Sequence, residues 1–301
     1  MKRIILTERQ FSELILLEDK HFPLFLKPLM IDATSFAKKA IDDAIKYNHT
    51  SWNYIMQTPE CDYTENIVFN VNITNIENAG VNDYEAYYIG NYINPVKEKF
   101  DYITIKLIVP VNTNSEYNPA FIDMTIFHEV EHMYDDWMRQ INNGYASIDD
   151  KVENNIINLF DDIEKNYKDN KFLMGVAGIA YLSIKDEEKA FLTQTYTELQ
   201  RVNCTRFNYQ EKIKETYSYK QYNDIIKNKL PIIKTSSIED LNLLIELCKK
   251  YKDSNIPKFS GNYSQYRNKL IKWGEFTAHQ FIKKFGGILT QYLEDNIKGK
   301  K

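Results

Sequence analysis

Two imidazoles and a carboxylate stand close together at His128-Glu129-Val130-Glu131-His132. On a helix, side chains four residues apart project from the same face. His128 and His132 can therefore share one divalent metal ion, and Glu129, beside the first of them, can take a proton from water as a general base. With 5 His in 301 residues, roughly 0.006 accidental matches to this spacing are expected. The pattern is specific enough to organise the rest of the reading.

A helical wheel centred on His128 groups Phe121, Thr125, Glu129, His132, Asp135, Asp136 and Arg139 on one side. Ile122, Ile126, Phe127, Val130, Met133, Tyr134, Trp137, Met138 and Ile141 fall on the other. One face reads as core and the other as the wall of a cleft, the bland alternative being a solvated polar face. Thr125, Asp135 and Asp136 are candidates for the bonds that orient metal-binding imidazoles, and Arg139 can neutralise one of the acids.

Such a helix needs a scaffold. Asn118-Pro119 predicts its start, an N-cap residue followed by proline at the first helical position, and Asn142-Asn143-Gly144 predicts its stop. Three β-branched and aromatic runs precede it, at 67–73, 84–89 and 102–109, and suggest a small sheet. Residues 3–6 read as a short strand, Thr7 to Asp19 and Asp32 to Lys46 as helices, and Asn48-His49-Thr50 as a loop. Beyond residue 145 the chain reads as helical throughout, over 150–167, 171–183, 184–203, 208–229, 236–252 and 263–284. Ser183-Ile184-Lys185-Asp186 looks like a capping-box start for the third of these. The expected class is α+β: a helical lead-in over 1–60, a sheet with its active-site helix over 61–145, and a helical subdomain over 146–301.

The order of strand 102–109 followed by an HExxH helix resembles the zincin metallopeptidases. That resemblance covers mainly residues 66–141 and the region of the third metal ligand. It implies a zinc-dependent peptidase with one Zn²⁺ ion, a sheet beside the active-site helix, and extended substrate paired to the 102–109 strand or a neighbour. It also implies a hydrolase mechanism in which the metal lowers the pKa of its bound water toward about 7 and Glu129 serves as general base. A catalytic zinc keeps three protein ligands. The residues after His132 lack the third His of the metzincins, so the gluzincin pattern, a Glu on a later helix, is the closer likeness. Asp186-Glu187-Glu188-Lys189-Ala190 resembles that pattern with Glu187 as ligand, whereas a wheel turns Glu188 toward Phe191, Thr195 and Leu199. Both glutamates remain candidates. Tyr181, Tyr196 and His279 are candidates for stabilising an oxyanion, and the segment 145–183 for a lid.

Composition sets the outer bounds. The balance of 38 basic and 42 acidic residues gives −4, with no basic block to track a phosphate backbone, so nucleic acid is not an expected partner. Cys61, Cys204 and Cys248, an odd number without a CxxC pair, fit reduced thiols. No signal-peptide core or membrane-spanning run is evident, and a cytoplasmic protein acting on a peptide or protein substrate is the expectation. The alternative is a zincin-like binding or structural protein without turnover, associated with a phage virion. Retention of Glu129 argues for activity, since a scaffold has no need of the base.

Overall fold

Alternating apolar residues build one four-stranded sheet in the computed structural model of the chain: Ser51–Gln57 (β1), Asn66–Asn75 (β2), Glu85–Ile89 (β3) and, after a small ribbon of Ile93–Asn94 (β4) and Lys99–Phe100 (β5), Ile103–Val111 (β6). The structure describes residues 24–75, 85–112, 116–142, 151–252 and 254–298. The expected strand at 3–6 and the helix at 7–19 lie outside them. The fold is α+β, mostly helical with a small mixed sheet. It divides into two units, one within Pro23–Ile148 and one within Asp149–Lys301.

In the first unit the strand order is β1-β2-β6-β3. β2 and β6 run parallel and in register, Ile67 beside Ile103, Phe69 beside Ile105 and Val71 beside Leu107. All six side chains are buried, because a strand sends alternate residues to one face. Helices Lys27–Lys46 (α1) and Pro119–Asn142 (α2) cover that face. α1 turns Met30, Ala33, Ala37, Ile41 and Ala44 inward, and α2 turns Ile122, Ile126, Val130 and Met133. Asn118 opens α2 as expected: its side chain accepts from the Ala120 N–H at 3.1 Å, with Pro119 in the first turn.

Two local expectations are corrected. α1 starts five residues before Asp32, since Pro28 sits in the first turn, where its missing N–H costs nothing. The lead-in is also not helical throughout. β1 occupies 51–57, where Trp52, Tyr54 and Ile55 supply β-forming side chains and pair antiparallel with β2.

The second unit contains the helices Lys151–Tyr167 (α3), Lys171–Leu182 (α4), Lys185–Arg201 (α5), Tyr209–Lys212 (α6), Tyr217–Asp224 (α7), Leu230–Lys234 (α8), Ile238–Lys250 (α9) and Tyr263–Lys298 (α10). α4 buries Leu173, Val176 and Ile179 completely, which makes it core and not a lid. The single helix expected at 208–229 is broken twice. Thr216 caps α7 by accepting from the Tyr219 N–H, and Ile225–Lys229 widens into a π-helical turn just before Pro231. Proline lacks the N–H for the preceding turn and its ring crowds the carbonyl there, so a wider turn relieves both. The capping box expected at Ser183 does not form. Ile184 is the N-cap residue of α5, and the Ser183 hydroxyl donates to the Ala180 carbonyl at 2.7 Å. α10 continues 14 residues past its expected end at Lys284, to Lys298, because buried Phe285, Ile288, Leu289 and Tyr292 outweigh the helix penalty of about 1 kcal/mol for each of Gly286 and Gly287. No helix among the described residues is long and apolar enough to cross a membrane.

Candidate metal centre

The chain leaves the sheet through β6 and enters α2, whose third and fourth turns carry the HExxH residues. Helical geometry brings the two imidazoles together. The Nε2 atoms of His128 and His132 lie 3.1 Å apart, with ring planes at 75° and centroids 4.8 Å apart. Two nitrogens at about 2.0–2.1 Å from one tetrahedral ion stand roughly 3.3–3.4 Å from each other. The spacing of the pair thus fits a shared metal. His128 is buried and His132 half-buried, so the pair opens toward solvent on one side.

Glu129 is buried on the same helix, and its Oε2 accepts a hydrogen bond of 2.7 Å from the Tyr88 backbone N–H. Tyr88 lies in β3, the edge strand of the sheet. An N–H bonded to α2 points away from the β6 ladder, so Glu129 sits against the open side of β3. The same tyrosine reaches α2 a second time, donating its hydroxyl to Asp136 Oδ2 at 2.8 Å. Burial and the adjacent Asp136 carboxylate push the Tyr88 hydroxyl well above its usual pKa of 10.0, and it stays protonated as the donor. Gln140 completes the strap. Its Oε1 accepts from the Ile93 N–H at 2.9 Å, and its Nε2 donates to the Asn91 carbonyl at 2.8 Å and to Asp136 Oδ1 at 3.2 Å.

These contacts redistribute the expected roles. Asp136 anchors β3 and the chain after it to α2, which is a different task from orienting an imidazole. Thr125 is buried one turn before His128, and Asp135 is half-buried beside Asp136. Of the two choices left open for substrate pairing, strand 102–109 or a neighbour, the sheet order favours the neighbour. β6 lies between β2 and β3 with both edges paired, so strand 102–109 has no free edge, while among the described residues no strand pairs with the outer edge of its neighbour β3.

The two candidate glutamates lie in the helical unit, in the first turns of α5. Glu187 is buried at 6% exposure. Glu188 accepts an ion-paired hydrogen bond of 2.6 Å from Lys284 Nζ on α10. The wheel had aimed Glu188 at the apolar core, but Lys284 meets it there and the deeper of the two side chains is Glu187. Among the other candidates, the Tyr196 hydroxyl donates to Asp295 at 2.8 Å and His279 is exposed.

Tyr88 and Gln140 are the site residues that sequence reading missed. Tyr88 is one of 22 tyrosines, and nothing local sets it apart. Gln140 offers only its spacing of one turn beyond Asp136, and its burial is known from the structure alone. Comparison with protein-family models, curated proteins and solved structures finds no match to this chain.

Proposed function

We propose that the chain is a zinc-dependent peptidase of zincin-like type, with His128, His132 and Glu187 holding one ion and Glu129 acting as general base. The observation that carries this reading is the convergence of the two Nε2 atoms to 3.1 Å beside a buried glutamate held at an open strand edge. Support for Glu187 as the third ligand is that it is the buried one of the two candidate glutamates, and that Glu188 is engaged by Lys284. Nitrogen and carboxylate donors in this number suit zinc.

When bound, the ion supplies Lewis acidity, polarising a carbonyl and acidifying a water. The chain's own residues do the rest. The Tyr88 N–H holds Oε2 of Glu129, which directs Oε1 to accept a proton from the attacking water and return it to the leaving amine. The open edge of β3 offers main-chain hydrogen bonds to an extended peptide, so the scissile bond is presented beside Glu129.

The test joins metal analysis of purified protein with proteolysis assays. About one zinc per chain is expected, and Glu129→Gln is expected to lower turnover by roughly 10²–10⁴-fold while metal content stays unchanged. Glu187→Gln is expected to lower metal affinity, and Glu188→Gln to leave it intact. Absence of stoichiometric metal sinks the reading at its first step. Stoichiometric metal with turnover indifferent to Glu129→Gln sinks the peptidase and leaves a metal-binding scaffold.

A further inference from the structure

At the end of the sheet opposite β3 lies β1, and among the described residues no strand pairs with its outer side. Folded proteins usually blunt such an edge with charged side chains, a proline or a bulge. Ser51-Trp52-Asn53-Tyr54-Ile55-Met56-Gln57 contains no charge and no proline. Its register with β2 runs unbroken from Ser51 to Gln57, which excludes a bulge. Trp52 and Ile55, on opposite faces of the strand, are 52% and 62% exposed. The β3 edge differs, since it carries Glu85 and its Tyr88 N–H is occupied by Glu129.

Two bonds fix which backbone groups of β1 point outward. The Ile73 N–H donates to the Thr50 carbonyl at 2.9 Å, and the Thr58 N–H to the Glu65 carbonyl at 2.8 Å. In an antiparallel pair alternate residues exchange both bonds with the partner strand. Trp52, Tyr54 and Met56 therefore bond β2, while Ser51, Asn53, Ile55 and Gln57 turn N–H and C=O away from it. This outward set is self-complementary. A second β1 laid antiparallel about Tyr54 sets Asn53 beside Ile55 of the copy and Ser51 beside its Gln57, and every such pair exchanges two bonds. Any other register leaves an outward residue of each strand unmatched. On the other face the same register puts Trp52 beside Met56 of the copy, a favourable sulfur–aromatic neighbour, and Tyr54 beside its counterpart. No like charges meet. An edge without charge has nothing to select an acidic or basic strand, and an identical uncharged strand is the partner it fits.

We propose that two copies of the chain associate through β1, antiparallel about Tyr54, joining their sheets into one across a two-fold axis. A strand of seven residues, about 23 Å long, buries less than a standard interface, so the dimer is weak and concentration-dependent. It uses no metal and no residue of the HExxH helix, so it stands or falls apart from the peptidase reading.

Sedimentation equilibrium of the full chain up to about 1 mM tests it, with reversible dimerisation expected. Ile55→Pro removes an N–H that points away from β2, which an edge strand tolerates, and is expected to weaken the dimer at least about tenfold. Ile55→Lys leaves the backbone intact and is expected to weaken it at least about fivefold; it decides the matter if the proline variant melts at a lower temperature. Under mild oxidation Tyr54→Cys is expected to form an intermolecular disulfide, because a non-hydrogen-bonded pair brings Cα atoms to about 4.5 Å. Ser51→Cys, roughly 20 Å from its own counterpart, is expected to give no cross-link above the wild-type background. A chain that stays monomeric at about 1 mM overturns the proposal. So does a dimer indifferent to both Ile55 variants, or cross-linking of Ser51→Cys as readily as of Tyr54→Cys.

Discussion

Tyr88 ties the edge strand to the helix that bears the candidate metal ligands, through its N–H to Glu129 and its hydroxyl to Asp136. The second bond is the one a side-chain change can remove. Tyr88→Phe keeps the ring and the backbone but leaves Asp136 Oδ2 short of a donor in a half-buried setting, at a cost of about 1–3 kcal/mol. A fall of that size in urea unfolding free energy is expected, with an unchanged slope. No change in the urea midpoint would mean that water solvates Asp136 as well as the tyrosine does. Gly90 belongs to the same contact: a Cβ there would lie 2.5 Å from Asp136 Oδ2, so the residue after β3 must be glycine for the strand to lie this close. At this scale the sequence was legible for His128, Glu129 and His132, whose relation is set by one helical turn. It was silent on Tyr88 because the contacts span 41 and 48 residues.

Helix α10 shows how two local preferences compete within one element. Gly274 faces α4 and α8, where an added Cβ would stand 2.7 Å from Leu230 Cδ2 and 3.2 Å from Ile179 Cδ1. Replacing a mid-helix glycine with alanine is worth about 1 kcal/mol in helix propensity, whereas forcing a methyl into a packed contact costs about 1–3 kcal/mol. Leu230 and Ile179 are both buried and cannot swing into solvent, so the clash is the larger effect. Gly274→Ala is expected to lower the melting temperature, and a higher one would show that Leu230 repacks. The boundaries of α2, α3, α4 and α9 were legible within about two residues, since caps and apolar periodicity act over a single turn. The break at Thr216 and the π turn before Pro231 were not. There the apolar pattern runs on, and capping and proline sterics end the regular helix.

For the molecule as a whole, one buried acid sets an expected pH dependence of stability. Glu198 on α5 is fully buried, hydrogen-bonded by Gln194 and by the Ser218 N–H and hydroxyl. Burial pushes its pKa from 4.5 to about 7, against the opposing pull of those donors and of Arg201. The neighbouring Tyr217 hydroxyl is itself raised, chiefly by burial and then by the Glu198 charge. A native carboxyl that holds its proton more tightly than the unfolded chain makes the folded state the greater proton binder between these two values. Its contribution is full below about pH 4.5, declines as the pH rises through about 7, and amounts to roughly 3 kcal/mol. Glu198→Gln is expected to flatten the stability profile between pH 5 and 8 in urea titrations. A wild-type profile with no such decline would place the carboxyl in contact with water.

The amino-acid sequence by itself determined the His-Glu-His spacing, the helix that displays it, the strand that leads into that helix and the mixed helical and sheet character. These follow from interactions within a few residues, the helical period, the N-cap and the alternation of a strand. Tertiary structure alone decided that β3 and not β6 is the open edge, that Glu129 rests on the Tyr88 N–H, and that Lys284 engages Glu188. Each of these depends on strand order or on a partner tens of residues away, the last of them 96 residues distant. A period read along the chain names the face a residue occupies, and only packing names what stands opposite it.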